Sequence, residues 1–114
     1  MQKKYVLALD QGTTSSRTVI FNKRSEILGI KNVPLKQIYP RPGWVEHDPE
    51  EIWKGQLEAV KGVLRDTGIS PEEIACIGIT NQRETVILWD RNTGKPVHNG
   101  IVWQCRRTAA LCED

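Results

Sequence analysis

The sequence predicts an α/β domain built on a mixed sheet. Three observations carry that expectation. Three β-rich segments follow one another near the N-terminus with only short polar links between them. A long amphipathic helix with a strong start signal comes next, and further apolar segments alternate with turn clusters after it.

Residues 5–9 form a short apolar run bounded by turn residues, the pattern of a buried strand. Residues 17–22 are rich in β-branched side chains and predict a second strand. A polar turn, Lys23-Arg24-Ser25-Glu26, leads into a third strand over 27–33, so the first three strands form an antiparallel meander. Pro34, Pro40, Pro42 and Gly43 mark residues 34–44 as a loop. A helix then starts at Asp48-Pro49-Glu50-Glu51: Asp48 can cap, Pro49 suits the first helical position, and Glu51 stands where a capping box has its acid. Its apolar stripe is Trp53, Leu57, Val60 and Leu64, and Gly68 ends it. Ser70-Pro71-Glu72-Glu73 repeats the start signal for a short helical turn. Strands are expected over 74–79 and 85–89, then a hairpin turn at 90–95, a last strand at 101–103 and a helix from about Cys105. That last helix has barely begun by Asp114 and carries no Gly or Asn to end it, so the chain reads as an incomplete fragment. Trp44, Trp53 and Trp89 are assigned to packing.

Composition narrows the function classes. The 114 residues are 39% hydrophobic and 26% charged, enough for one modest core. Sixteen basic and fourteen acidic residues nearly balance, and the basic ones fall in scattered pairs with no stripe, so neither nucleic-acid nor anionic-membrane binding is supported. Lys3-Lys4 precedes an apolar run that stops at Asp10, too short for a signal peptide, and nothing approaches transmembrane length. Three cysteines (Cys76, Cys105, Cys112) without C-x-x-C spacing read as reduced thiols of a cytoplasmic protein. His47 and His98 have no ligand spacing with them, so no zinc site is expected.

Three constellations have chemical potential. In Asp10-Gln11-Gly12-Thr13-Thr14-Ser15-Ser16-Arg17, a Gly at a strand end allows a positive φ and a close backbone approach. Four hydroxyl residues add donors suited to phosphate oxygens, Asp10 is placed to hold Mg²⁺ directly or through water, and Arg17 adds positive charge. The segment lacks the second Gly and the Lys of a Walker A loop, and it feeds a strand where Walker A feeds a helix. A plain polar hairpin has the same composition, so these residues alone leave both readings open. In Thr80-Asn81-Gln82-Arg83-Glu84-Thr85, a strand runs out into a polar turn where Arg83 can donate to, and Glu84 accept from, a small polyhydroxy molecule; the residues alone favour an exposed turn with an incidental ion pair. In Trp103-Gln104-Cys105-Arg106-Arg107-Thr108, the Trp can wall a pocket, or sit in the core ahead of a solvated basic helix face. No carboxylate stands out as a base for phosphoryl transfer, so no catalytic residue is assigned within this chain.

Taken together, these segments resemble the N-terminal domain of the glycerol kinases, among the sugar and polyol kinases of the actin-like ATPase superfamily. The likeness covers the whole chain and is densest at residues 6–17, 38–49, 77–85 and 101–108. It implies an RNase H-like (actin-like ATPase) fold, with residues 1–114 the N-terminal portion of the first FGGY-type kinase domain and the second domain absent. ATP and Mg²⁺ would bind in a cleft between two such domains. By that likeness Asp10 would sit near the metal, Thr13, Thr14 and Ser15 would contact the phosphates, and Arg17 would assist them. Arg83 and Glu84 would bind the hydroxyls of glycerol, with Trp103 and Thr13 facing the same substrate. The implied reaction moves the γ-phosphoryl group of ATP to a terminal hydroxyl, giving sn-glycerol 3-phosphate and ADP. Pentulose kinases of the same group usually carry a Gln-x-His type pattern where this chain has Asn81-Gln82-Arg83-Glu84, which favours glycerol. The catalytic base and the adenine site are expected downstream, and the full-length protein is expected to be a homo-oligomer. The alternatives are a kinase for another small polyol or sugar, or a non-catalytic nucleotide-binding fragment. Exposed apolar surface is expected near the C-terminal end.

Overall fold

The computed structural model describes residues 2–113. Strand β1 (Tyr5–Gln11) pairs antiparallel with β2 (Ser15–Phe21), and β2 with β3 (Ile27–Pro34), the expected meander. The first hairpin is tighter than the sequence suggests. Asp10 pairs with Arg17 and Gln11 with Ser16, so these polar residues belong to the ladder and only the tip remains a turn. Backbone bonds carry a ladder regardless of side-chain polarity, and buried Ser16 is satisfied by donating to Gln11 Oε1 at 2.8 Å.

Helix α1 (Pro49–Thr67) lies across β2 and β3. Asp48 caps it by accepting the Glu50 N–H at 2.9 Å, and Gly68, at φ 71°, closes it with an N–H to the Leu64 carbonyl. Glu51 does not complete a capping box here; its carboxylate lies 4.0 Å from Lys54. The reciprocal box forms one element later, where Glu73 accepts the Ser70 N–H at 3.1 Å at the start of the 3₁₀ turn Pro71–Glu73.

The helix buries Gln56, Ala59, Gly62 and Val63, one residue offset from the expected stripe, while Val60 and Leu64 flank the core and Trp53 is exposed. Close approach decides this. A Cβ on Gly29 of β3 would meet Thr67 Cγ2 at 2.7 Å and Val63 Cγ2 at 3.1 Å, and one on Gly55 would meet Ser16 Oγ at 3.1 Å. The helix therefore rests on its small residues, and the bulk of Trp53 is turned outward. Leu7, Ile20 and Val63 form the core, with Tyr5, Leu9, Val60, Leu64, Ile69 and Ile74 packed around them. Each fully buried aliphatic side chain contributes roughly 1.5–3 kcal/mol.

Two short strands, β4 (Glu46–His47), before the helix, and β6 (Gly100–Ile101), pair antiparallel as a separate ribbon. Between them in sequence, β5 (Ile74–Thr80) pairs parallel with β1, giving a mixed sheet of order β3-β2-β1-β5. The strand expected over 85–89 does not form; only an isolated bridge joins Trp89 to Pro96, and Trp89 is exposed. A strand needs a ladder partner, and this segment has none beyond its own turn, which closes as expected with Asp90 N–H to the Lys95 carbonyl at 2.8 Å. The strand expected at 101–103 shrinks to β6. The final helix is α2 (Ala109–Glu113), starting later than Cys105; the segment before it runs in turns, with the Cys105 N–H donating to the Val102 carbonyl at 3.0 Å and the Ala109 N–H to the Arg106 carbonyl at 3.1 Å. Asp114 lies outside the described residues. Exposed apolar side chains, among them Ile79, Val86, Leu88, Val97, Trp103 and Leu111, collect in the C-terminal third. Among the described residues, no helix is long and apolar enough to cross a membrane.

Candidate functional site

The parallel strands β1 and β5 end side by side, Asp10 opposite Thr80, and the chain beyond each end turns toward a common cleft. Ligands of open α/β sheets sit beyond the carboxyl ends of parallel strands. The cleft encloses about 510 Å³ and is lined by Asp10, Gln11, Gly12 and Thr13 on one side and by Asn81, Gln82, Arg83, Glu84 and Trp103 on the other. Residues as far apart in the sequence as 10 and 103 thus meet at one place, including five of the expected site residues: Asp10, Thr13, Arg83, Glu84 and Trp103.

The first wall is a closed hairpin tip. The Gly12 N–H donates to the Ser15 carbonyl at 3.1 Å, and the Leu35 N–H donates to the Thr14 carbonyl at 2.9 Å, fixing the turn from inside and outside. Gly12 is not among the glycines with positive φ, contrary to expectation, and a Cβ there would meet only the Ser15 carbonyl at 3.4 Å. The four-residue tip between paired Gln11 and Ser16 closes without left-handed backbone. Thr14, Ser15 and Arg17 stand on the turn or on β2 but outside the cleft lining. Arg17 reaches Asp10 instead, its guanidinium 2.6 Å from Oδ2, a pair open to solvent.

The second wall is held differently. Glu84 has φ 63°, a left-handed backbone that costs a non-glycine residue about 1–2 kcal/mol. Among the described residues, no ion pair engages Arg83 or Glu84, so the suspected pairing between these neighbours does not occur and both side chains are exposed. Trp103 is exposed at the cleft, not in the core; the buried anchor is its neighbour Val102. Behind it, Arg107 donates to Glu46 Oε2 at 2.6 Å, and its guanidinium lies 3.8 Å from the centre of the Trp44 ring. Glu46 also accepts from Asn99 at 3.1 Å. The hydrogen bond from Arg107 first, then that from Asn99, outweighs burial and holds the Glu46 carboxyl below its usual range. Arg107 is therefore not part of a solvated basic helix face: it ties the Trp103 segment to β4.

Sequence reasoning missed three polar residues beside the cleft: buried Glu46 and His47, and half-buried Gln37. His47 is completely buried, and burial pushes its imidazole below the usual value near 6.5. Their partners lie up to 61 positions away, and no local spacing announces a contact of that range.

A model of the FGGY family of carbohydrate kinases, N-terminal domain, matches residues 5–114. The chain belongs to this family. Over 111 residues it is 63% identical to glycerol kinase of Caldanaerobacter subterraneus subsp. tengcongensis and 62% identical to glycerol kinase 2 of Thermotoga maritima, in each case over 97% of this chain. The chain spans 22% of the length of these curated relatives. It is also similar to the crystal structure of Plasmodium falciparum glycerol kinase with ADP: TM-score 0.81, 36% identity, 98% of this chain and 22% of that one. A xylulose kinase from Rhodospirillum rubrum shares the fold, with TM-score 0.84 over 96% of this chain and 23% of that one, at 24% identity. The mixed sheet that opens with an antiparallel meander is thus the actin-like ATPase fold of FGGY kinases.

Proposed function

We propose that this chain forms one wall of the ATP- and glycerol-binding cleft of a glycerol kinase, as the N-terminal portion of the first of two actin-like domains. The observation that carries this reading is the convergence of Asp10, Thr13, Arg83, Glu84 and Trp103 on a single cleft at the ends of β1 and β5. The identity of about 60% to glycerol kinases over the whole chain supports glycerol as the acceptor.

In this reading Arg83 donates to glycerol oxygens and Glu84 accepts from its hydroxyls, fixing which terminal hydroxyl faces the nucleotide. Trp103 covers the carbon side of the polyol. The hydroxyls and N–H groups of Thr13, Thr14 and Ser15, with Arg17, face the phosphates of ATP; Thr13 alone of these lines the cleft and stands next to both substrates. Asp10 fits a place beside Mg²⁺. It is a half-buried carboxylate at the cleft, and because Arg17 occupies its Oδ2, contact through water suits it best. When bound, the ion offsets the negative charge of the phosphates. The base that takes the proton of the attacking hydroxyl, and the opposite wall, belong to the rest of the full-length protein. We place that protein in the cytoplasm, as a homo-oligomer.

The test is ATP-dependent phosphorylation by the full-length protein. Glycerol is expected to be turned over more efficiently than xylulose, and Glu84→Ala is expected to lower kcat/KM for glycerol by about tenfold to a hundredfold, the range for losing a charged hydrogen bond. Preference for xylulose would remove the substrate assignment, and an unaffected variant would remove the role of Glu84.

A further inference from the structure

Beside the cleft runs a chain of half-buried amides and one buried imidazole that the reaction does not use. Gln37 Nε2 donates to the carbonyls of Thr13 at 2.8 Å and Leu35 at 2.9 Å. Both amide protons of Gln37 are thereby committed, so its Oε1, 2.8 Å from His47 Nε2, must accept, and the imidazole carries its proton on Nε2. On the other side of the ring Gln82 Nε2 stands 3.4 Å from Nδ1, while Gln82 Oε1 accepts from the Thr85 hydroxyl at 3.1 Å. With the Gln82 amide oriented this way, every donor in the path meets an acceptor when the imidazole is neutral. Burial, which disfavours the charged ring, acts in the same direction.

The two ends of the path are the two walls of the cleft: Thr13 on the first turn and Gln82 on the second. The β1–β5 ladder stops at Asp10 and Thr80, so beyond it the walls are not held to each other by paired strands. The ring between them is anchored, since His47 pairs with Gly100 in the β4–β6 ribbon and precedes the helix cap Asp48. We infer that His47 is a positioning residue of the cleft, setting the separation of the Thr13 turn and the Arg83–Glu84 turn through Gln37 and Gln82. This inference rests on the reading of the cleft as the glycerol and ATP site. It assigns His47 no contact with substrate; it acts through the two turns that make those contacts.

The experiment uses the full-length protein and compares His47→Phe, His47→Gln, Gln37→Met and the double variant His47→Phe/Gln37→Met, with Glu84→Gln alongside. His47→Phe keeps the volume and removes both bonds. His47→Gln keeps a donor for Gln37, and Gln37→Met changes a residue outside the cleft. Steady-state kcat and KM for glycerol and ATP are read next to the melting temperature. Expected are a fall of roughly tenfold in kcat/KM for glycerol in His47→Phe and in Gln37→Met, since a lost buried hydrogen bond of that strength corresponds to that factor. The double variant should be no worse than His47→Phe, because one path is cut twice, and His47→Gln should recover much of the loss. Losses that multiply in the double variant would overturn the inference. So would a lowered melting temperature with kcat and both KM values within about twofold of the parent. If His47→Phe does not fold, the kinetics of Gln37→Met decide the same question alone. Kinetics unchanged in Glu84→Gln as well would show that the cleft reading itself had failed. An impaired Glu84→Gln beside an unaffected His47→Phe would remove only the positioning role.

Discussion

The two flanks of β1 share one sheet and behave as different materials. Across a single row, Gly29 of β3, Ile20 of β2, Leu7 of β1 and Ile77 of β5 lie side by side in register and so present the same face. Under α1, Ile20 is 0% exposed and Leu7 3%; one strand further, where the helix does not reach, Ile77 is 55% exposed. The same apolar chemistry is core on one side and bare surface on the other. The shape of the molecule agrees: its radius of gyration is 17.0 Å, against about 13 Å for a compact domain of this length. The candidate cleft takes one wall from each region. The hairpin tip at Gly12–Ser15 stands on the packed half, and the Arg83–Glu84 turn and Trp103 stand on the bare half, tied back through Glu46–Arg107 and through His47. On the proposed reading, the phosphate side of the cleft stands on the packed half and the polyol side on the bare half.

The largest expected difference comes from truncating the core on either side. In the 114-residue chain, Ile20→Ala should lower the unfolding free energy by about 3 kcal/mol, and Ile79→Ala by less than about 0.5 kcal/mol, measured by urea denaturation. Equal losses would mean that this face of β5 is covered as well. Next comes the glycine pair. Gly29→Ala should cost about 1–3 kcal/mol through collision with Thr67, whereas Gly78→Ala, with nothing within 4 Å of its new Cβ, should stay within about 0.5 kcal/mol.

At the second wall, Glu84→Gly should leave the chain about 1 kcal/mol more stable than Glu84→Ala, because only glycine takes φ 63° without strain. The two variants lose the same carboxylate, so the difference isolates the backbone. The smallest effect is a slope with pH. Unfolded His47 binds its proton more readily than the buried ring does, so stability is whole above about pH 6.5 and declines as pH falls through that window. Glu46, depressed chiefly by Arg107, adds a second decline of the same sign at lower pH, beginning near its ordinary value of 4.5. Melting curves of the full-length protein against pH should show His47→Phe flattening the upper part and Glu46→Gln the lower. A decline on raising pH through 6.5 would contradict the neutral imidazole.

The meander, the capped helix and its αL stop at Gly68 were legible because each is written in residues close together in the chain. The candidate site residues came from another source: the resemblance to glycerol kinases singled out Asp10, Thr13, Arg83, Glu84 and Trp103, and the fold brings these five to one cleft. What could not be read was the relation between distant segments. Trp53 and Trp89 look like core residues by their chemistry, yet they face outward because the sheet accepts the small side of α1 and offers no neighbour to residues 85–89.

The sequence by itself determined the periodicities and the turns, since these follow from local backbone preference, and its resemblance to glycerol kinases singled out the candidate site residues. Tertiary structure alone decided that the Asp10–Thr13 turn and the Arg83–Glu84 turn share one cleft of about 510 Å³, because a parallel pairing of β1 with β5 aligns the two strand ends. It also decided that half-buried Gln37 and buried Glu46 and His47, inconspicuous in the chain, are the links beside it. Burial makes an unpaired polar group costly, and only the fold says which partner 35 or 61 positions away removes that cost.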